Sequence, residues 1–274
     1  MHGFLLVDKP AEWTSHDVVA VLRGMTGIRQ IGHAGTLDPF ATGLLVVGVG
    51  TATKQLDAVH AFDKEYVATI RFGATSDTDD CDGMITPFPN APDISAAMLE
   101  NVLQTFRGTI QQTPPMYSAK KVGGRKLYDL AREGKTVVRE PVSVTVHEIS
   151  IEEVMLPETT GACSPSFFIP FFSVIPAKAG IHDVDRRPVD PLLQGDDRKD
   201  CEQALTLRIT CSTGTYIRAL ARDIGTALGT GAYCAVLRRT RIGPYRVEEA
   251  IGPKAFEKET WQERLVQPQQ NILA

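Results

Sequence analysis

The stretch GHAGTLDPFATGLL, Gly32 to Leu45, carries the most suggestive chemistry of the chain. It holds a single carboxylate, Asp38, between Leu37 and Pro39, with Gly32, Gly35 and Gly43 around it and His33 as its only other ionisable side chain. A carboxylate can act as nucleophile or base without a cofactor if it is held in place and kept ionised. An apolar setting raises the pKa of such an acid, and a neighbouring arginine counters the rise. Arg218, in the first turn of the helix that opens GTYIRALARD, is the candidate partner. Each residue also has a plainer reading. Asp38 fits a turn or helix-cap acid before proline, Arg218 a surface helix charge, and Tyr66 a core aromatic on a strand.

Other chemistries find no matching pattern. The chain has no G-x-x-x-x-G-K-[ST] phosphate loop and no G-x-G-x-x-G after its first strand; GVGTATK, Gly48 to Lys54, has the wrong spacing for either. There is no G-x-S-x-G elbow. A D-x-D-x-T phosphoaspartate pattern fails because Phe40 stands two residues after Asp38. The five cysteines form no C-x-x-C pair and suit a reducing cytoplasm. The expectation is therefore chemistry by ordinary side chains, with no cofactor and no metal. Apolar runs such as Phe167 to Ala177 are too short and proline-broken to span a bilayer, and MHGFLLVDKP does not read as a signal peptide.

The elements that must position these residues follow from periodicity. Phe4 to Asp8 reads as a buried strand ended by Lys9-Pro10. Thr14 or Ser15 caps a helix that Gly27 stops. The Asp38 stretch reads as a loop, followed by the strand LLVVGVG. Glu65 to Gly73 alternates, with Tyr66, Ala68, Ile70 and Phe72 on one side. Ser95 caps a helix running to about Phe106, KKVGGRK is a tight hairpin or ligand-clasping loop, and a short helix spans Lys126 to Arg132. PVSVTVHEISIEE reads as a strand whose phase slips near His147-Glu148, as at a bulge. Leu205 to Ser212 is a strand, Thr215 caps the helix of Arg218, Gly229 ends it, and Tyr233 to Gly243 is a further strand. Many strands without a βαβ rhythm indicate an α+β fold around a mixed or antiparallel sheet. Residues 155–203 do not fit, and read as a surface insertion between strands that can still pair through Val154 and Leu205.

The net charge is −4, but it is unevenly spread. Residues 74–104 carry six acids and no Lys or Arg, residues 117–139 seven bases against two acids, and residues 206–246 seven arginines against Asp223. Two basic segments in an acidic chain indicate either a local polyanion-binding face or charges that balance in three dimensions.

Six segments in order carry a resemblance: LLVDKPAEWTSHDVV, GHAGTLDPFATGLLVVGVGTATK, DKEYVATIRFGATSDTDDCDG, PPMYSAKKVGGRKLYDLAREG, CSTGTYIRALARDIG and AVLRRTRIG. Together they resemble the bacterial tRNA pseudouridine-55 synthases, the TruB family, over about residues 3–155 and 204–250. The resemblance implies a pseudouridine-synthase-type α+β fold and cofactor-free isomerisation of a T-loop uridine. In that chemistry the glycosidic bond breaks, the uracil turns while held, and C5 joins C1′.

By resemblance Asp38 is the essential acid, Arg218 its ion-pair partner, and Tyr66 the residue that stacks on uracil. Tyr216 and Leu237 line the base pocket, and His33 takes the space of the extruded nucleotide. Lys9, Lys54, Lys120, Arg125 and Lys126 are expected phosphate contacts, and Asp77 a hydrogen-bond partner of the RNA or base. The implied partner is the tRNA T-arm, with no membrane and no obligate protein partner, for a cytoplasmic monomer. Residues 1–250 form the expected catalytic domain, interrupted at about 155–203. Residues 251–274 are expected to be a short tail, too short for the RNA-binding PUA domain of many relatives. A non-catalytic RNA-binding or chaperone protein on the same scaffold is the alternative.

Overall fold

A computed structural model of the chain describes residues 2–118, 121–122, 124–133, 137–155 and 203–267. The 155–203 insertion lies, but for its ends, outside the described residues, as do Lys120 and the end of the tail.

The first third of the chain contains β1 (Gly3–Lys9), α1 (Ser15–Thr26), β2 (Ile31–His33), β3 (Thr42–Val49) and a short helix α2 (Leu56–Ala61). A capping box fixes the start of α1: the Thr14 side chain accepts from the Asp17 N–H while the Asp17 carboxylate accepts from Thr14. Gly27, with φ 71°, ends the helix in the left-handed conformation that the sequence predicts for it. One departure falls here. Ile31 to His33 is not loop but a short strand against β3, with His33 opposite Val47.

The middle contains β4 (Lys64–Phe72), the hairpin strands β5 (Ala74–Ser76) and β6 (Ile85–Pro87), α3 (Ala96–Thr105) and β7 (Gly108–Gln112). A two-stranded hairpin of β8 (Lys121–Val122) and β9 (Arg125–Lys126) leads into α4 (Leu127–Arg132). The last part holds β10 (Val142–Met155), β11 (Ala204–Cys211), α5 (Ile217–Leu228), β12 (Ala232–Ile242) and β13 (Tyr245–Arg246).

Among the described residues nine strands form one sheet in the order β1-β3-β12-β4-β11-β10-β7, with β2 and β13 added to β3 and β12. All of these pairings are antiparallel except the short parallel contact of β3 with β12. The alternation read from β4 and β11 has its physical cause in one buried face. Tyr66, Ala68, Ile70 and Phe72 share a core with Leu205, Leu207, Ile209 and Cys211, covered by Leu220 and Ile224 of α5 and Leu99 and Leu103 of α3. The phase slip in β10 is a register shift between Val146 and Glu148. Val154 pairs with Leu205 and Met155 with Ala204, so the ends of the insertion meet on neighbouring strands.

Residues beyond 250 return to the sheet edge. The Phe4 and Val266 backbones exchange two hydrogen bonds of 2.8 Å, and Asp8 N–H donates to Ile251 O. Phe256 and Trp261 pack with Val18, Val19 and Leu22 of α1. Edge strand β1 is thereby covered, which removes a row of exposed backbone groups.

Candidate active site

Asp38 sits in a loop whose main chain is held from both sides. The buried Ser15 hydroxyl, at the start of α1, accepts from Leu37 N–H at 2.9 Å and donates to Leu37 O at 3.2 Å. On the other side, Pro39 O accepts from the Lys9 ammonium at 3.2 Å and from Glu12 N–H at 2.9 Å. Gly43, with φ 102°, opens β3, and a Cβ there would stand 2.3 Å from Arg239 O of β12. Only glycine allows that approach.

Arg218 projects from the first turn of α5, and its side chain is 4% exposed. Its Nε meets Asp38 Oδ2 at 2.9 Å. Nη1 donates to Thr78 O at 2.8 Å and pairs with Asp80 Oδ2 at 3.1 Å, and Nη2 donates to Tyr117 O at 2.8 Å. The guanidinium is thus fixed by three partners other than Asp38, so its fork is oriented before any substrate arrives. Asp38 keeps 35% of its side chain open to solvent. Burial of its surroundings pushes the carboxyl above the ordinary range; Arg218 opposes this, and nearby Asp80 adds to the rise.

Asp80 is the residue that sequence reading missed. It is 6% exposed on its side chain, accepts from Thr78 Oγ1 at 2.6 Å and from Asp82 N–H at 3.0 Å, and shares Arg218 with Asp38. One helical turn on, Arg222 pairs with Asp79 at 2.8 Å and donates to Thr113 O at 3.1 Å. The acidic run between β5 and β6 therefore neutralises the inner arginines of α5. Further arginines of the 206–246 segment are also spent internally: Arg208 on Glu65 and Glu152, Arg238 on Asp8, Arg241 on Glu65. Of the two readings of this charge pattern, balance in three dimensions describes most of the segment. The signal was present in the sequence as an acid-only run facing an arginine-rich one.

The start of α5 departs from expectation. Its N-cap is Tyr216, which makes no side-chain cap, whereas Thr215 Oγ1 donates to Ser212 O. The fully buried Gln112 at the end of β7 supplies the hold, accepting from Tyr216 N–H at 2.8 Å and donating to Tyr216 O at 3.0 Å. Tyr216 itself stays partly exposed.

Tyr66 and Leu237 lie in one apolar cluster with Ala41, Ile217 and Leu37, the chain neighbour of Asp38. Burial pushes the Tyr66 phenol up, and the positive charge of Arg239 opposes it. His33 lies on β2; its Nδ1 is buried with no hydrogen-bond partner among the described residues, and burial with Arg239's charge lowers its pKa. Asp77 is not bonded to Asp38 or Arg218; its Oδ1 accepts from Met84 N–H at 2.8 Å, closing the β5–β6 turn.

Lys9 corrects an expectation. It is 0% exposed, and its ammonium donates to the carbonyls of Pro10, Trp13 and Pro39, with burial lowering its pKa to about 8. All three ammonium protons are engaged, so in this structure it braces the Asp38 loop with none left over for a phosphate. Lys120 lies outside the described residues. Arg125 pairs with Glu133 on the β8–α4 segment. Among the described residues no group of His, Cys, Asp and Glu could hold a metal ion, and no helix is long and apolar enough to cross a membrane.

Comparison with known proteins places the whole chain. Residues 23–166 match the profile described as TruB family pseudouridylate synthase (N terminal domain), and residues 218–273 that of the tRNA pseudouridylate synthase B C-terminal domain. The tRNA pseudouridine synthase B of Thermobifida fusca is 43% identical over 248 residues, covering 90% of this chain and 72% of that protein. Its counterpart from Gloeobacter violaceus is 43% identical over 257 residues, covering 94% and 73%. Among solved structures, a chain of a Cbf5-Nop10-Gar1 complex superposes with a TM-score of 0.60 at 26% identity, covering 95% of this chain and 56% of that one. A chain of an H/ACA RNP bound to a substrate RNA containing 2′-deoxyuridine gives 0.59 at 23%, covering 98% and 60%, and so shares the fold. The present chain thus spans less than two thirds of either of those two. With two family profiles matched in order and about 40% identity to curated members over nine tenths of its length, the chain belongs to the TruB family of pseudouridylate synthases.

Proposed function

We propose that this chain isomerises uridine 55 in the T-loop of tRNA, with Asp38 as its one catalytic carboxylate. The observation that carries the reading is the 2.9 Å ion pair between Asp38 and Arg218, on an acid that is braced on both sides and still open to solvent. The tRNA substrate is taken from the names of the curated relatives.

Glycosidases use two carboxylates because the leaving group must be protonated and released. Here the base stays in the site and its carbonyls delocalise the electron pair of the broken N1–C1′ bond, so a single acid suffices. Asp38 takes either the sugar or the base as its target: C1′, the C2′ proton or C6. Arg218 holds the carboxylate ionised against the desolvation that opposes it. Tyr66 and Leu237 form the apolar surface on which uracil turns, with Tyr216 at its edge. His33, neutral and half-buried, fills the place of the extruded nucleotide. The protein acts as a cytoplasmic monomer.

The test is tritium release from T-arm RNA labelled at uridine C5, since that hydrogen leaves when C5 bonds to C1′. The native chain is expected to release tritium, and neither Asp38→Asn nor RNA with cytidine at position 55 is expected to do so. Tight binding and refolding of the RNA without release by the native chain would favour a chaperone instead.

A further inference from the structure

Arg239 is the bulkiest of the fully buried side chains among the described residues, 1% exposed, and no expectation from the sequence gave it a role. It stands on β12 as the cross-strand partner of Tyr66 on β4 and of Gly43 on β3. Its Nε donates to Leu44 O at 2.8 Å and its Nη2 to Gly35 O at 3.1 Å. Gly35 and Leu44 lie on the two limbs of the segment that carries Asp38. One guanidinium therefore ties both limbs to the strand next to Tyr66.

Its partners are neutral. Arg218 meets two carboxylates, whereas Arg239 meets carbonyl oxygens, and no carboxylate among the described residues pairs with it. Its charge is felt around it. His33, His60, Lys64 and Lys9 are each lowered first by burial and further by Arg239, and the same charge opposes the rise at Tyr66. Two carbonyls could be tied by a neutral amide at far lower desolvation cost than a buried cation. A positive charge kept at that cost is suited to a negative charge that appears only during reaction.

Isomerisation supplies one. When the N1–C1′ bond breaks, its electron pair stays with uracil and spreads over the ring and its carbonyl oxygens. If Asp38 first adds at C6, the ring carries the charge as an enolate. Either charge is discharged when C5 bonds to C1′; C5 then loses its proton while N1 gains one, and Asp38 ends as the free carboxylate it began as.

We propose that Arg239 is a positioning residue for the reaction, fixing both limbs of the Asp38 loop beside Tyr66 and supplying an unneutralised positive charge that favours uracil while it is anionic. The proposal rests on the pseudouridine synthase reading above. Single-turnover tritium release and filter binding with the same T-arm RNA test it in Arg239→Gln and Arg239→Lys. The glutamine keeps an amide N–H to donate to a carbonyl and removes the charge; the lysine keeps the charge and loses the fork. Arg239→Gln is expected to slow single turnover about 100-fold with Kd within about threefold, and Arg239→Lys to stay within about tenfold of the native rate. Equal rate losses in the two variants overturn the role of charge, and a native rate in Arg239→Gln overturns the whole proposal. If Arg239→Gln shows no cooperative melt, Arg239→Lys decides alone, and a rate loss beyond about tenfold overturns the proposal. Absence of release by the native chain would instead sink the pseudouridine reading, so the two failures are distinguishable.

Discussion

Around Asp38 the backbone is held by side chains that bond main-chain groups: Ser15 on both polar groups of Leu37, Lys9 on Pro39 O, Arg239 on Gly35 O and Leu44 O. At the start of α5 the opposite holds, and arginines meet carboxylates: Arg218 with Asp38 and Asp80, Arg222 with Asp79. The first region carries two buried cations whose hydrogen bonds go to neutral oxygens. The second is a lattice of ion pairs in which carboxylates outnumber guanidiniums, since Arg222 also meets Asp223. Asp38 is where they meet, since it is borne by the first region and paired by the second. The difference separates two tasks. Main-chain bonds fix where the acid stands, and the ion pair opposes the burial that disfavours its charge.

Removing the junction should have the largest effect. Asp38→Asn is expected to lower single-turnover tritium release by roughly 10⁴-fold while T-arm Kd changes little. It should also raise stability at neutral pH. The folded carboxyl titrates above its unfolded value, so the fold prefers it protonated, and its ionisation weakens the fold as pH rises through the folded pKa. Asparagine removes that loss. Melting curves across pH should show a gain at pH 7 that fades as pH falls below the ordinary carboxylate range. A lower melting temperature at pH 7 would show that the ion pair outweighs desolvation.

Next in size is the lattice itself. Arg218→Met leaves Asp80 buried without its cation, a change that typically costs about 3–5 kcal/mol. Urea denaturation should show that loss, and adding Asp80→Asn should recover much of it. Turnover should remain down by about 100-fold or more in both, because Asp38 still lacks its partner. Recovery of turnover in the double variant would mean that Arg218 serves only the fold. On the main-chain side, Ser15→Ala leaves Leu37 N–H and C=O unpaired in the interior, and about 1–3 kcal/mol of stability should go with them. Release should slow by about tenfold through misplacement of Asp38, with RNA affinity intact. If stability falls and the rate does not, the remaining bonds at Pro39, Gly35 and Leu44 suffice to place the acid.

Much of the scaffold was legible because its signals are local. Alternation in β4 and β11, the capping box at Thr14, Gly27 as a stop and the bulge by His147 each depend on residues a few positions apart. The pairing of Asp38 with Arg218 was readable through the family pattern and a strand-end position. Asp80 was not, because its acid-only neighbourhood reads equally well as a solvated loop, and its partner lies 138 residues away. Gln112 holds Tyr216 across 104 residues through main-chain groups, which no residue type announces. Lys9 failed for the same reason. A lysine before proline at a strand end looks solvent-facing, and its three carbonyl acceptors are set by chain path and not by composition.

Lys9 also gives the comparison its most delicate test, because it separates charge spent inside from charge offered to RNA. Each phosphate contact contributes close to one unit to the slope of log affinity against log salt, about 0.9 on duplex and 0.7 on single strands. Lys54, exposed on the 3-10 turn Gly50–Gln55 after β3, is free to make such a contact, whereas Lys9 is enclosed. Lys54→Ala should therefore reduce the salt slope of T-arm binding by about one unit and leave melting unchanged. Lys9→Met should leave the slope alone and melt earlier, since the Pro10 and Trp13 carbonyls lose the ammonium and Pro39 O keeps only Glu12 N–H. A reduced slope in Lys9→Met would mean that the Asp38 loop opens on RNA and releases its lysine to a phosphate, so that its bracing belongs to the free protein alone.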